Sequence, residues 1–187
     1  MTSTGRGERP QRRYFAFIRA INTGGRRLTN DRLMEPFLRL GLSDVAAYQA
    51  AGNITFRSDD PDAAGAKRLE AAATEAYGFA SPVFVRSRSE LRAIIAARPF
   101  TDEEVARTEG RIQVSFMHTA PSEIARTDVR ALVPEGERLV FSDRHWFWLP
   151  ALGISDSQLP VATIEGLVGP MTMRTLGTIS RMLGKFV

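Results

Sequence analysis

The stretch YFAFIRAINTGGRRLT, residues 14–29, sets the reading of the whole chain. Phe15, Phe17 and Ile21, with Tyr14, Ala16 and Ile18 between them, make an apolar run with no alternating polar side. Such a run predicts a strand buried on both faces. It stops at Asn22 and passes into Gly24, Gly25, Arg26 and Arg27. The glycines permit backbone angles that other residues resist, and their missing side chains let another group approach the main chain. Arg19 stands near the strand's end. Positive charge and hydrogen-bonding groups therefore meet just ahead of a helix expected at about residues 30–40, a place that suits an anion. The competing reading is a plain strand-to-helix turn with solvated arginines, since no complete phosphate-loop pattern is present.

Working outward, Leu33, Met34, Phe37 and Leu38 recur at helical spacing, and Gly41 sits where that helix would stop. A strand is expected over residues 45–50. Gly52-Asn53 is a tight-turn dipeptide that leads into another strand at 54–57. Asp59, Asp60, Pro61 and Asp62 punctuate the chain before a helix expected at 62–77, with a strand at 82–86. The order is β-α-β-β-α-β, the ferredoxin-like arrangement. Beyond it, Ser87 to Glu90 and Thr101 to Glu104 each show capping-box spacing. Residues 111–117 read as a strand, 121–132 as a helix, and 138–141 and 145–149 as strands. That is β-α-β-β again, which suggests an internal duplication of one module. Residues 151–187 are looser, and close on Leu176, Ile179, Met182, Leu183 and Phe186, an amphipathic helix. The expected fold is α+β: two ferredoxin-like modules with antiparallel sheets packed together, at 14–87 and 88–187, behind a disordered basic tail at 1–13.

A chain of 187 residues, 43% hydrophobic, can bury a sizeable core. No apolar stretch approaches the roughly 20 residues that cross a bilayer. The absence of cysteine excludes disulfides, thiolate nucleophiles and cysteine-ligated zinc. With no secretory-type segment in view, the expected compartment is the cytoplasm and no membrane partner is expected. The formal charge is +4. Arg6, Arg9, Arg12 and Arg13 against Glu8 give 4 − 1 = +3 within the first 13 residues, leaving 4 − 3 = +1 for the remainder. A basic arm of this kind offers nucleic acid a contact, and a solvated leader reads the same way. Only Lys67 and Lys185 among the 25 basic residues are lysine, a bias that points to coding composition rather than recognition.

Residues 14–25 resemble the opening of the DUF1697 family. The family's Arg-Gly-Ile-Asn-Val-Gly-Gly signature stands here as Arg19, Ala20, Ile21, Asn22, Thr23, Gly24 and Gly25. The resemblance continues through Leu40, Gly41 and Leu42 and through residues 48–56, similar to a Tyr-x-Gln-Ser-Gly-Asn-Val-x-Phe segment. Arg98, Pro99 and Phe100 resemble an Asn-Pro-Phe element, and Ser157, Gln158 and Leu159 a Ser-Lys-Leu element. Residues 170–179 resemble a Thr-Thr-Arg-Asn-Trp-Asn-Thr-Val run, so the likeness spans about 14–183. It implies a pair of ferredoxin-like modules and no assigned activity. Ala50 and Ala51 replace the usual Gln and Ser, Thr175, Leu176 and Gly177 replace Asn, Trp and Asn, and Ala20 replaces glycine. A polar ligand site built from these segments would have lost several of its hydrogen-bonding groups.

The two histidines, His118 and His145, lie on different strands and show no ligand spacing, so no metal is assigned. Residues 145–148 are aromatic-rich. Alternation puts Trp146 and Trp148 on one face, where exposure would allow base stacking and burial would mean core packing. Ser157 closes a Gly-x-Ser-x-Ser string rather than a nucleophile elbow, and Asp102, Glu103 and Glu104 suit the first turn of a helix. No catalytic set and no cofactor is assigned.

The remaining hypothesis is an anion-friendly surface of Arg19, Asn22, Gly24, Gly25, Arg26, Asn53, Ser157, Thr172 and Arg174. Asparagine and threonine supply orientable hydrogen bonds, and arginine supplies a planar fork suited to phosphate or carboxylate. The leading function is binding of a phosphate-bearing ligand such as a nucleotide or nucleic acid. An enzyme acting on a small phosphorylated or carboxylated substrate, and a scaffold whose motifs are structural, are the alternatives. Oligomeric state is not legible.

Overall fold

The computed structural model describes residues 11–19, 21, 27–60, 65–108 and 111–186. The chain divides into two compact units, with the break between Arg88 and Ser89.

In the first unit, β1 (Arg12–Ile18), α1 (Asn30–Arg39), β2 (Ser43–Ala47), β3 (Asn53–Ser58), α2 (Ala66–Tyr77) and β4 (Val83–Ser87) follow one another. The sheet is antiparallel, ordered β2-β3-β1-β4. This is the β-α-β-β-α-β order expected from the sequence. Ala16 and Ile18 of β1 face a core made with Leu33 and Phe37 of α1 and Leu69, Ala73 and Tyr77 of α2. Phe15 and Phe17 point to the opposite face and are also fully buried, so the strand is covered on both sides. Thr29 caps α1 by accepting from the Arg32 amide. At its other end the Gly41 amide donates to Leu38 O at 3.0 Å and the Leu42 amide to Phe37 O at 3.2 Å. That is a Schellman closure, with Gly41 at φ +72 in the left-handed position. Tyr77 ties α2 to α1 by donating its hydroxyl to Leu33 O at 2.8 Å, and burial pushes its phenol above the usual range.

The strand β1 begins at Arg12, so Arg12 and Arg13, assigned above to a disordered tail, belong to the sheet. Arg13 donates to Thr55 Oγ1 at 3.2 Å and pairs with Asp44, which also receives Arg57 Nε at 3.2 Å. The Arg13 hydrogen bond and charge hold the Asp44 carboxyl below its usual range. Residues 1–10 of that expected tail lie outside the described residues.

The second unit contains α3 (Arg88–Ala96) from Ser89 onward, α4 (Asp102–Ala106), β5 (Gln113–Met117), α5 (Glu123–Ala131), β6 (Arg138–Phe141), β7 (His145–Leu149), a 3-10 turn (Ile154–Asp156), α6 (Val161–Val168), β8 (Met171–Thr175) and α7 (Leu176–Lys185). Its antiparallel sheet is ordered β6-β7-β5-β8. With β5, α5, β6, β7, α6 and β8, the element order of the first unit recurs in full. Neither α6 nor β8 was expected. Val161, Thr163 and Ile164 are β-branched and Gly166 follows them, which hides a helix from propensity. Met171 and Met173 alternate with Thr172 and Arg174 as in a half-buried strand, a run too short to stand out beside the looser stretch before it, and β8 makes five residue pairs with β5.

Trp146 and Trp148 are buried among Met117, Val129, Leu159, Ile164 and Met171, which removes base stacking as their role. Ser115 pairs directly across from Trp146, and neither Ser115 Oγ nor Trp146 Nε1 has a hydrogen-bond partner. A buried hydroxyl without a partner costs stability, so Ser115→Ala should raise it by about 1 kcal/mol. Urea unfolding checks this, and a lowered midpoint would contradict it.

Candidate functional site

The first-unit half of the surface lies at the end of β1. The Ile18 amide donates to Gly52 O at 2.7 Å, and the Arg19 amide donates to Pro82 O at 3.0 Å. With Phe17 opposite Asn53 and Ile18 opposite Val83, three connections meet at this end of the sheet. They are the β1–α1 loop, the β2–β3 turn and the segment before β4. The structure thus brings Arg19 and Asn53 to one place. Gly52 makes the approach close: it adopts φ +70, and a Cβ there would stand 2.7 Å from Ile18 O. Asn53 is 1% exposed and its Nδ2 donates to Tyr48 O at 3.3 Å, so its amide braces the turn. Asn22, Gly24, Gly25 and Arg26 lie outside the described residues. The far end of their loop is fixed where Leu28 packs on the core and Thr29 caps α1.

In the second unit, Thr172 and Arg174 share one face of β8. Arg174 Nη1 donates to Thr172 Oγ1 at 2.8 Å and to Met173 O at 2.7 Å. Burial pushes the guanidinium down to about 10, still charged at neutral pH. Ser157 follows the 3-10 turn and its Oγ accepts from the Leu159 amide at 3.0 Å, a local turn closure. Sequence reasoning missed Arg86. It is the fourth residue of β4 as Arg174 is of β8, it is 2% exposed, and its Nη1 likewise donates to the preceding carbonyl, Val85 O, at 2.8 Å. Aligning the last strands of the two modules would have found it. Among the described residues no group of three or more His, Asp or Glu gathers that could hold a metal ion. None of their helices is long and apolar enough to cross a membrane.

The model of a family described as "Protein of unknown function (DUF1697)" matches residues 12–147. The chain belongs to that family. Among solved structures it is similar to the conserved bacterial protein SP0830 from Streptococcus pneumoniae. The TM-score is 0.68 at 23% identity, covering 93% of this chain and 98% of that one. At such identity the likeness speaks for the fold. A comparison with curated proteins gives no match.

The DUF1697 match takes in the signature at 19–25 and the Gly52-Asn53 segment, and it ends before Ser157, Thr172 and Arg174. Of the departures from the DUF1697 pattern, Ala20 lies outside the described residues, and the others fall in two settings. Ala50 and Ala51 occupy an exposed turn, closed by the Ala51 amide on Gln49 O at 2.7 Å. Thr175, in place of asparagine, caps α7 by accepting from the Thr178 amide at 3.1 Å. Asparagine and threonine both fill that capping role, so this change preserves the helix start.

Proposed function

We propose that this DUF1697 protein binds a phosphate-bearing ligand, a nucleotide being the leading candidate, on the loop that joins β1 to α1. One observation carries the reading: Arg19 is held at the sheet end by its amide bond to Pro82 O, beside the Gly52 turn, at the root of a loop containing Gly24, Gly25, Arg26 and Arg27. Backbone amides freed by glycine and arginine forks that follow them suit phosphate oxygens. Asn22 supplies a further orientable amide.

A scaffold without a ligand is the second reading, and a specific pattern favours it. Asn53, Ser157, Thr172 and Arg174 all make hydrogen bonds within their own unit. The two readings separate in a thermal-shift experiment with ATP and inorganic phosphate on the full chain, Arg19→Ala and Arg26→Ala. Ligand at 100 times its Kd should stabilise the wild type by about 2.7 kcal/mol. Each arginine variant, measured against its own unliganded melting point, should lose most of that shift. A shift that both variants retain, or no shift at all, overturns the phosphate reading. Deleting residues 1–10 separates a nucleic-acid arm from this loop. The deletion must stop there, because Arg12 and Arg13 are part of β1.

A further inference from the structure

Each four-stranded sheet has two edges, β2 and β4 in the first unit and β6 and β8 in the second. An open edge offers unpaired N–H and C=O groups to another strand, and folded chains usually blunt it. A bulge blunts β2, whose register shifts between Ser43 and Ala46 with Asp44 at φ +49. Along β4 and β8 no residue is exposed. The edge at β6 has neither protection. Its register with β7 is unbroken, and Arg138 and Val140 are exposed.

The hairpin bonds show which backbone groups β6 presents. The Ser142 amide donates to His145 O at 2.9 Å, so Ser142 and His145 are a bonded pair. Bonded pairs alternate along an antiparallel ladder, so Arg138 and Val140 bond to β7 while the N–H and C=O of Leu139 and Phe141 point outward. The side chains of Leu139 and Phe141 lie on the helix side of the sheet, against the core of Trp146 and Trp148. Val140, 39% exposed, lies on the other side.

Charge selects the partner. Arg126 and Arg130 of α5 stand over the Phe141 ring, 5.7 and 5.8 Å from its centroid. Glu123 Oε1 lies 3.4 Å from Arg126 Nε. Arg130 is exposed and has no ion pair among the described residues. These three charges sum to 2 − 1 = +1 beside the edge. On the other face Arg138 is already matched by Glu104 Oε1, 3.5 Å from its Nε, so that face calls for no charge and Val140 offers apolar surface. A second copy paired edge to edge would bring the same uncompensated guanidinium from its own α5, like charge against like. A strand with acidic side chains on the helix side meets it with opposite charge.

We propose that β6 is a docking edge for an extended acidic segment of another protein. Its backbone bonds to Leu139 and Phe141, its acidic side chains face Arg130, and the apolar residues between them face Val140. This surface is separate from the β1–α1 loop and does not depend on it. The probe is the peptide acetyl-Thr-Glu-Val-Glu-Val-Thr-amide, titrated into the ¹⁵N-labelled full chain. The Leu139 and Phe141 amides should shift saturably and gain protection from hydrogen exchange. A peptide with lysine for both glutamates should bind about fivefold more weakly or worse. N-methylation of the two glutamates, which removes the donors that would bond to the edge, should abolish binding. Arg130→Gln changes an exposed side chain, so the folded spectrum should survive, and it should weaken the glutamate peptide by about twofold or more. The proposal is overturned if the glutamate peptide gives no saturable shift at Leu139 and Phe141, if the lysine or N-methylated peptide binds as well, or if Arg130→Gln binds like the wild type. Shifts of the same amides with protein concentration alone would give the edge to a second copy and overturn it too.

Discussion

Gly52→Ala is expected to cost at least about 3 kcal/mol, and Gly41→Ala only about 1, although both glycines sit in left-handed backbone. The φ values are +70 and +72, so the intrinsic strain of adding a side chain is the same. The surroundings differ. At Gly41 a Cβ would meet nothing within 4 Å. At Gly52 it would stand 2.7 Å from Ile18 O and 2.9 Å from Ile21 Cγ1. The first of these is backbone of a strand paired on both sides, by β3 and β4, and it has little room to give. The turn must retreat instead, which breaks the Ile18 amide bond to Gly52 O. Asparagine separates the two contributions, because it tolerates left-handed angles: Gly41→Asn should be close to neutral, and Gly52→Asn should remain costly. Urea unfolding of the four variants checks this. Equal costs at the two positions would mean that the turn retreats without loss, and that Gly52 is required for φ alone. If the retreat is costly, Gly52→Ala also disturbs the root of Arg19, and phosphate-dependent stabilisation should fall with stability.

The parts of the fold legible in the sequence are those whose cause is local. Gly41 ends α1 because glycine takes the left-handed angle most readily. Gly52-Asn53 turns the chain, and Thr101 with Glu104 opens α4 by two bonds within one turn of helix. What escaped depends on partners far along the chain. Arg13 looked like tail because it stands among arginines and glycines, yet its partners Thr55 and Asp44 are 42 and 31 residues away. The β8 strand is only five residues long and is fixed by pairing with β5. The candidate site divides in the same manner. The glycines and Arg19 drew attention to the loop on which the proposed function rests, and the sequence order placed the Gly52 turn near it. The amide bond from Arg19 to Pro82 O, which fixes the loop's root, joins residues 63 apart and leaves no trace in local pattern. Asn53 was placed on the candidate surface from its turn dipeptide alone, while its burial and its bond to Tyr48 O depend on the folded turn.

Trp148→Phe is expected to destabilise the second unit by about 3 kcal/mol, most of it through Glu137. Trp148 is 1% exposed and its indole Nε1 donates to Glu137 Oε2 at 2.7 Å in a buried bond. Glu137 is itself 6% exposed, on the turn that leads into β6. Phenylalanine removes the donor, leaves part of the indole volume empty and strips the carboxylate of this partner. Glu137→Gln keeps an acceptor and loses only the charge assistance, so it should cost about 1 kcal/mol. The decisive variant is the double change, Glu137→Leu with Trp148→Phe. Removing both members of a buried polar pair can be nearly neutral, whereas removing one leaves the other unsatisfied. Trp148→Phe should therefore cost at least about 1 kcal/mol less when Glu137 is already leucine, a coupling read from a double-mutant cycle in urea. If Trp148→Phe costs the same in both backgrounds, the bond adds nothing and the indole acts through its volume alone. Coupling of the expected sign would make Glu137 a fixed anchor at the turn into β6, one residue before Arg138.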